Sequence, residues 1–332
     1  MGAKIGFVLL THREPAQILR LVMRLNALYS NPPIAIHHDF SKCPLEGHAF
    51  PDNVRFVRPH IKTRWSKVSL FVAMREALRL LYSGPGAPDW FVYLSGSDYP
   101  TALPSTVLAQ LESEGFDAYL DHRLITWPPA PGPQTTPGGT GHRSIEYLTF
   151  AHDNYMALRF WLPGYSLRRR MMVKLHLAWV RNPSITRWFH PFSESFPCYA
   201  GECWFSGNSR CAHALLEDSQ KMRKLLKHLK RRFLGDECVE QTILCNTGLK
   251  VSRRNHRYIE WQRGQSHPKA LGIDDVPSIL ASGAHFARKF AWPASKPALD
   301  AIDETLDRAL KAELETLPAR QELLASAPHR GT

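Results

Sequence analysis

The feature that most restricts the fold is an alternation, over the first hundred residues, of short apolar segments with segments of helical spacing. The apolar run at residues 5–10 is rich in β-favouring side chains, and apolar residues at helical spacing follow over residues 18–28. The same pattern predicts further strands at residues 33–39, 54–57 and 90–94 and a helix at residues 68–81. Strands that alternate with helices form a mostly parallel sheet with right-handed crossovers. We therefore predict a doubly wound α/β fold.

The second half has a less regular pattern. Residues 126–141 are rich in Pro, Gly and Thr, which predicts a loop or a boundary between two halves. Beyond it we predict a strand near residues 203–206, one helix over residues 211–229 and a final amphipathic helix over residues 298–317.

Length and cysteine content favour an intracellular globular protein. A chain of 332 residues with 44% apolar content can bury a full core without disulfides. Its six cysteines include no CxxC pair, so we expect free thiols and a reducing compartment. The N-terminal apolar run is too short to span a bilayer or serve as a signal peptide. We expect a cytoplasmic protein, peripheral at the inner face of the membrane if it contacts lipid.

A formal net charge of +12 indicates an anionic partner: nucleic acid, an acidic membrane surface or the phosphates of a small substrate. A nucleic-acid-binding protein is the alternative from another functional class, because basic residues cluster at 168–170 and 224–232. Those of residues 221–232 recur on one helix surface, where a solvated face is the usual explanation, so we expect no nucleic-acid partner. The basic stretch at residues 165–181 suggests a further hypothesis of peripheral contact with anionic lipid, through its cationic residues Arg168, Arg169, Arg170 and Lys174.

Polar residues follow two predicted strands at the edge where parallel sheets bind ligands. Asp39 follows the second strand, and the turn Ser95-Gly96-Ser97-Asp98 follows the strand at residues 90–94. Small and polar groups at carboxyl ends of strands let a ligand approach the backbone closely. For the turn, an ordinary strand-to-loop connection is an equally good explanation.

Later segments carry a carboxylate pair and two conspicuous cations. Asp236 and Glu237 lie where a loop meets a predicted helix, although Asp236 could be an N-cap and Glu237 could complement the helix dipole. Arg257 is placed on a predicted strand and Lys289 lies between two phenylalanines; the alternative for each is an ordinary surface cation. No Asp-x-Asp motif occurs, and the cysteines and histidines form no closed zinc-ligand set.

Six short segments between residues 5 and 290 together resemble the core-2/I-branching β-1,6-N-acetylglucosaminyltransferases and the related peptide O-xylosyltransferases, known as glycosyltransferase family 14. They match in order and in approximate spacing: the first strand ending at Thr11-His12, residues 36–39, Trp65 with the helix after it, residues 94–100, residues 236–242 and residues 286–290. The stretch from 125 to about 196 matches least, so the resemblance says least about the acceptor.

The resemblance implies a fold and a reaction. The fold is of GT-A type, with a Rossmann-like central sheet flanked by helices in a single large domain. The reaction is the transfer of a sugar from a UDP-sugar with inversion and without a metal cofactor. It also implies a division of the chain into a nucleotide-sugar-binding half at residues 1–125, an acceptor-binding and catalytic half at 126–297, and a C-terminal helix and tail at 298–332.

The resemblance also assigns roles to individual residues. Glu237 resembles the catalytic base, and Trp204 resembles an aromatic residue near the acceptor. The remaining matches are to donor-binding positions: His12 and Asp39 for the uridine, Ser95, Gly96, Ser97 and Asp98 for the sugar, and Arg257 and Lys289 for the diphosphate. The match of Arg257 crosses a segment of different length, so Arg253, Arg254 and Arg288 are rival candidates.

These roles are chemically coherent. Loss of a nucleoside diphosphate leaves charge that must be met by a metal or by fixed cations, and arginine and lysine can supply it. One carboxylate base suffices for one-step inversion. We therefore expect an inverting, metal-independent enzyme that transfers GlcNAc or xylose to an acceptor hydroxyl of a glycan or glycoconjugate, with a peptide O-xylosyltransferase-like enzyme as the alternative.

Overall fold

The computed structural model describes residues 3–45, 49–129, 145–166, 171–262, 265 and 267–325. Its strands, numbered in chain order, are β1 (Ile5–Thr11), β2 (Ile34–His38), β3 (Val54–Phe56), β4 (Trp90–Ser95), β5 (Asp98–Pro100), β6 (Ala118–Tyr119), β7 (Arg123–Leu124), β8 (Leu158–Ser166), β9 (Met171–Val180), β10 (Tyr199–Ala200), β11 (Ser206–Asn208), β12 (Val251–Ser252), β13 (Arg257–Ile259) and β14 (Phe286–Arg288).

The α-helices, numbered in the same way, are α1 (Pro15–Tyr29), α2 (Ser69–Tyr82), α3 (Pro104–Ser113), α4 (Ile145–Tyr155), α5 (Pro183–Thr186), α6 (Ser209–Leu216), α7 (Gln220–Leu229), α8 (Asp236–Cys245), α9 (Val276–Ala281) and α10 (Lys296–Ala325). Within these described ranges, no helix is long and apolar enough to cross a bilayer.

A large, parallel-rich sheet forms the centre of this mixed α/β chain, which confirms the predicted α/β class. Its strand order is β12-β6-β11-β4-β1-β2-β3. The first-half strands β1, β2, β3 and β4 pair in parallel, and β11 joins β4 in the antiparallel sense. The parallel pairs place the carboxyl ends of β1, β2 and β4 at one edge of the sheet.

Alternate residues of β1 are buried on opposite faces of the sheet. Phe7 and Leu9 pack with α1, α9 and α10, whereas Val8 and Leu10 pack with α2, α6 and α8. A strand with both faces covered by helices must be apolar at successive positions, which explains the unbroken apolar run.

A smaller sheet of order β13-β14-β5 brings the end of the chain back to the central sheet. In it, β14 pairs antiparallel with β5, so that Arg288 lies opposite Asp98. The parallel pairing of β13 with β14 places Arg257 opposite Phe286. Residues far apart in sequence therefore meet beside the turn that follows β4.

The final helix is held to α1 by a network of charged groups. Asp303 accepts hydrogen bonds from Tyr99 Oη and Arg20 Nη2 and lies 2.9 Å from Arg24 Nε. Arg24 also contacts Asp307 at 2.6 Å. Since Arg24 is only 8% exposed, its positive charge depends on these carboxylates for compensation.

Several predicted elements differ from the observed ones. The single helix predicted over residues 211–229 is wrong: α6 ends at Leu216, and α7 begins after Ser219, whose hydroxyl accepts from the Met222 amide at 3.1 Å. The strand predicted near residues 203–206 begins only at Ser206, and the last helix begins at Lys296 rather than 298. The apolar residues of α6 and α7 face one core, so their helical spacing continues across the break between the two helices and does not reveal it.

Two sequence hypotheses lie partly outside the described residues. Most of the predicted loop at residues 126–141 is outside them, as are Arg168, Arg169 and Arg170. Lys174 belongs to β9, but its side chain is not described. The hypothesis of lipid contact through these four cations therefore stays a prediction.

The ion network predicts unequal effects for two neighbouring aspartates. Replacing Asp303 with Ala leaves buried Arg24 with only the exposed carboxylate of Asp307 and removes an acceptor of Arg20 and Tyr99, so it should lower the free energy of unfolding by about 3 kcal/mol. Asp307 is 62% exposed, and Asp307→Ala should cost less than about 1 kcal/mol. Urea denaturation of both variants measures the difference, and equal losses would show that the network does not hold α10.

Candidate active site

The carboxyl ends of three parallel strands bring the predicted donor residues to one edge. Thr11 lies in register with His38, and Leu10 with Ser95, so His12, Asp39 and the turn after Ser95 leave the sheet side by side. The amide of Asp39 donates to Thr11 O at 3.0 Å, and that of Gly96 donates to Leu10 O at 3.3 Å. The parallel sheet thus positions three of the sequence-predicted segments together.

Asp39 is a fully buried carboxylate with several donors. It accepts from the Thr63 amide and hydroxyl, both at 2.8 Å, and from the Ser41 hydroxyl at 2.6 Å. Burial favours the neutral acid, but the hydrogen bonds from Ser41 and Thr63 outweigh it and hold the pKa of Asp39 below its usual range. Asp39 therefore fixes the loop after β2 as a permanent negative charge.

Cations surround the exposed loop after β1. Desolvation and the positive charges of Lys42, Arg13 and Lys289 lower the pKa of His12 to about 4, so its ring is neutral at pH 7. Desolvation and the charges of Arg13 and Arg288 also lower the pKa of Lys289. Mutual repulsion of this kind identifies a region of positive potential, which an anion would relieve.

The turn after β4 is closed by Asp98. This carboxylate is fully buried, accepts from the Ser95 amide and lies 3.1 Å from Arg288 Nε. Burial raises the pKa of Asp98, while Arg288 and the Ser95 amide oppose that shift. The turn is joined to the segment containing Lys289, because the Phe290 amide donates to Ser97 O at 2.9 Å.

Gly96 lies at the centre of this turn and packs closely on its neighbours. A Cβ added to it would lie 3.2 Å from side-chain atoms of both Thr11 and Ile18. The turn is therefore seated against β1 and α1, which explains a glycine at this position.

Arg257 does not reach the surface, contrary to the alternative of a solvated arginine. It is fully buried on β13 and donates to the carbonyls of Asn255 at 2.9 Å and Phe205 at 3.2 Å. Burial lowers the pKa of Arg257 to about 10. In this arrangement Arg257 stabilises loops beneath the site. The partly exposed cations next to the turn after β4 are Arg288, at the end of β14, and Lys289, directly after it.

Glu237 lies in the first turn of α8 and is partly exposed. Its Oε2 accepts from Tyr147 Oη at 3.3 Å. Desolvation, followed by the negative charges of Asp236 and Glu202, raises the pKa of Glu237 well above its ordinary value. Asp236 is the first helical residue rather than the N-cap, which is Gly235, so the capping alternative for Asp236 is wrong.

Trp204 lies in the segment between Glu237 and Arg288. Its ring centroid lies 4.7 Å from that of Tyr93, and the Arg288 guanidinium lies over it at 4.2 Å. In the same segment, the Gly201 amide donates to Glu237 O at 3.0 Å. Burial raises the pKa of neighbouring Cys203, and the charges of Asp236, Glu240 and Glu237 add to this shift while that of Arg288 opposes it. The segment 201–204 therefore contacts both the start of α8 and Arg288.

Comparisons with known proteins give two similarities. Residues 161–280 match the family model described as Core-2/I-Branching enzyme. The chain is also similar to the β-glucuronosyltransferase GlcAT14B of Arabidopsis thaliana, with 24% identity over 263 residues. That match covers 76% of the chain and 52% of the relative, so the chain spans about half the length of that relative.

Hydrogen bonds from side chains to the backbone fix the position of helix α8. Gln241 Nε2 donates to the carbonyls of Gly201 at 3.1 Å and Glu202 at 2.9 Å, and the Gly201 amide donates to Glu237 O at 3.0 Å. The Thr242 hydroxyl bonds both the carbonyl and the amide of Tyr199. These contacts explain why residues 241 and 242 are Gln and Thr, whose side chains can bond to the backbone of residues 199–202.

Sequence reasoning does not single out several residues that the structure places here. Arg13, Lys42, Tyr147, Glu202 and Gly201 are not among the predicted site residues, although Arg288 is a named rival to Arg257. Arg13 and Lys42 closely follow predicted site residues and could have been found from that adjacency. Glu202 lies two residues before Trp204 and could have been found in the same way, whereas Tyr147 gives no comparable signal, because its contact with Glu237 arises only from tertiary packing. In the described part of the chain, no group of three His, Cys, Asp or Glu residues could hold a metal ion.

Gly201 provides a test of how α8 is positioned. A Cβ at residue 201 would overlap the Asp121 carbonyl oxygen and lie 2.7 Å from its carbon, so Gly201→Ala must displace backbone next to Glu237. We expect a loss of about 2 kcal/mol or more in the free energy of unfolding, as for an overpacked core position. Gly272 has open space around its Cβ position and no positive φ, so Gly272→Ala is the matched control and should be nearly neutral. Equal stability of the two variants in urea would refute this role of Gly201.

Proposed function

We propose that this chain is an inverting glycosyltransferase of GT-A type that transfers a sugar from a UDP-sugar to an acceptor hydroxyl without a bound metal. The match of residues 161–280 to the Core-2/I-Branching enzyme model and the similarity to a β-glucuronosyltransferase support a glycosyltransferase. The observation that carries the finer proposal is that residues 201–204 contact both groups: the Gly201 amide bonds to Glu237 O, and Arg288 lies over Trp204. This segment joins an electropositive edge to a carboxylate of raised pKa.

The cations would bind the leaving group. As the bond between the anomeric carbon and the diphosphate oxygen breaks, its electron pair leaves with UDP and negative charge develops on the phosphate. Lys289 offers a point charge, and Arg13 and Lys42 lie close enough to His12 to lower its pKa. Fixed cations that face the developing charge stabilise the transition state without reorganisation. We assign Arg257 to support of this region, because its guanidinium is buried beneath it.

Glu237 would act as the base on the opposite side. It would accept the proton of the acceptor hydroxyl as that oxygen forms a bond to the anomeric carbon, which balances the departure of UDP. A raised pKa suits this role, because a base with a pKa closer to neutrality accepts a proton more readily. Tyr147 orients one carboxylate oxygen, which leaves the other for the acceptor.

We assign the donor from a short set. The resemblance favours UDP-GlcNAc, with β-1,6-linkage, and UDP-xylose is the alternative; the name of the Arabidopsis relative adds glucuronic acid as a third sugar to test. We further propose that residues 1–125 supply most donor contacts, residues 126–297 supply the base and the acceptor contacts, and residues 298–332 support the donor half. The screen is a comparison of UDP release from UDP-GlcNAc, UDP-xylose and UDP-glucuronic acid.

The role of the base is tested by Glu237→Gln. We expect turnover with the preferred donor to fall by two to four orders of magnitude, since that is the size of a general-base contribution. UDP affinity should be unchanged, because Glu237 is not placed among the diphosphate cations. Turnover within about threefold of wild type would remove Glu237 from the reaction, and unchanged UDP affinity in the same variant shows that the fold is intact.

The pH dependence of kcat/KM follows from the raised pKa of Glu237. Only the ionised carboxylate can act as a base, so kcat/KM should rise with pH through the pKa of Glu237 and then level off. The negative charge of Glu202 is one cause of that raised pKa, and Glu202→Gln should move the rising limb to lower pH. Exposed Glu112 on α3 provides the control, and Glu112→Gln should leave the limb in place. A shift to higher pH in Glu202→Gln would contradict the proposed electrostatics.

A further inference from the structure

A basic groove lies apart from the donor edge and has no role in the reaction described above. Its volume is about 1010 Å³, and it lies between the end of α4, the beginning of β8, residues 188–191 and α7. Six of its lining residues are cationic: Lys67, Arg159, Lys224, Lys227, Arg231 and Arg232. The lining contains no Asp or Glu.

The positive charge of this groove is not neutralised within the part of the chain that the structure describes. There, Lys224, Lys227 and Arg231 are exposed and form no ion pair. Arg232 is partly buried, and its desolvation together with the charge of Arg159 lowers its pKa. Uncompensated like charges that face one concave surface attract an anionic ligand with several charges.

Aromatic side chains lie along the same groove. Trp188 is 75% exposed and Phe189 is 57% exposed, and Phe233 lines the opposite wall with 38% exposure. Large aromatic rings are rarely left so open without a partner. Open rings offer flat apolar faces, on which the C–H face of a sugar ring can stack.

The groove is continuous with the segment that carries the proposed base. Phe233 precedes α8 by three residues, and its backbone amide and carbonyl are held by the Asn154 side chain of α4. Tyr155 of the same helix donates to Leu234 O at 2.6 Å. Since α4 also presents Tyr147 to Glu237, one helix forms the groove wall and contacts the base.

We propose that this groove binds the acceptor, and that the acceptor is an acidic glycan whose carboxylates pair with the groove cations while its rings stack on Trp188 and Phe189. This inference rests on the proposed transferase function. A chain fits the geometry better than a bilayer does, because the lining includes the partly buried His190 and His228, which a flat surface cannot reach. Continuity with Glu237 favours a glycan over a nucleic acid, since the glycan hydroxyl must reach that base.

The test measures binding of a carboxylate glycan directly. Oligogalacturonate should bind the full chain with an affinity that falls as salt rises, and neutral dextran oligomers should not bind. The triple variant Lys224→Gln, Lys227→Gln, Arg231→Gln should weaken oligogalacturonate binding about tenfold or more, as expected for three solvent-facing ion pairs. A matched triple variant at exposed cations elsewhere, Arg79→Gln, Arg308→Gln and Lys311→Gln, should bind like wild type.

Further measurements distinguish a glycan from lipid or nucleic acid as the ligand, and distinguish failure of the groove proposal from failure of the transferase proposal. Trp188→Ala should weaken binding of oligogalacturonate without changing the charge of the groove. The proposal is overturned if the groove variant and wild type bind oligogalacturonate equally, or if wild type binds phosphatidylglycerol vesicles or single-stranded DNA through these cations in preference to the glycan. Release of UDP from donor alone should be the same in the groove variant and wild type. If wild type binds oligogalacturonate but releases no UDP from any donor, the transferase proposal fails while the groove assignment stands.

Discussion

The ion pair between Asp98 and Arg288 is the interaction on which the rest of the site depends. It joins the turn after β4 to the segment after β14 at 3.1 Å, with the Asp98 side chain fully buried and that of Arg288 11% exposed. Pairing of β5 with β14 sets this contact by placing the two residues opposite each other. The next residue, Lys289, is thereby placed at the sheet edge, and the Arg288 guanidinium is fixed over Trp204.

A buried ion pair is costly to desolvate, so its net contribution to stability is small. Backbone pairing of β5 with β14 and the bond from the Phe290 amide to Ser97 O also join the two segments, and the ion pair adds a fixed position of the Arg288 guanidinium. The negative charge of Asp98 compensates the positive charge of Arg288. Lys289 has no such direct partner in this pair, and the positive charges of Arg13 and Arg288 repel its own. The fold thus keeps positive potential at the edge where we propose that a diphosphate binds, and the raised-pKa carboxylate of Glu237 adjoins the segment of Trp204.

Local sequence patterns are sufficient for the central sheet and for part of the site. Apolar periodicity predicts the strands β1, β2 and β4 and the helix α2 to within about two residues, because it follows burial on one or both faces. The rule that ligands bind at the carboxyl edge of a parallel sheet then brings Asp39 and the Ser95–Asp98 turn together on sequence grounds alone. Arg257 shows the limit of such reasoning: its strand is predicted correctly, but its complete burial depends on contacts with Tyr93, Phe205 and Phe286 from three other segments. The break between α6 and α7 escapes prediction because the apolar spacing continues across it, and the contact of Tyr147 with Glu237 arises from tertiary packing alone.

The central claim is that side-chain cations do the work of a metal ion at the diphosphate. Calorimetric titration of UDP into the protein, with EDTA and then with excess Mg²⁺, tests it most directly. We predict the same Kd in both conditions for wild type, and a Kd about tenfold or more weaker for Lys289→Ala, with Lys311→Ala as the control that binds like wild type. Binding that disappears in EDTA and returns with Mg²⁺, or a Kd that Lys289→Ala leaves unchanged, would contradict the account.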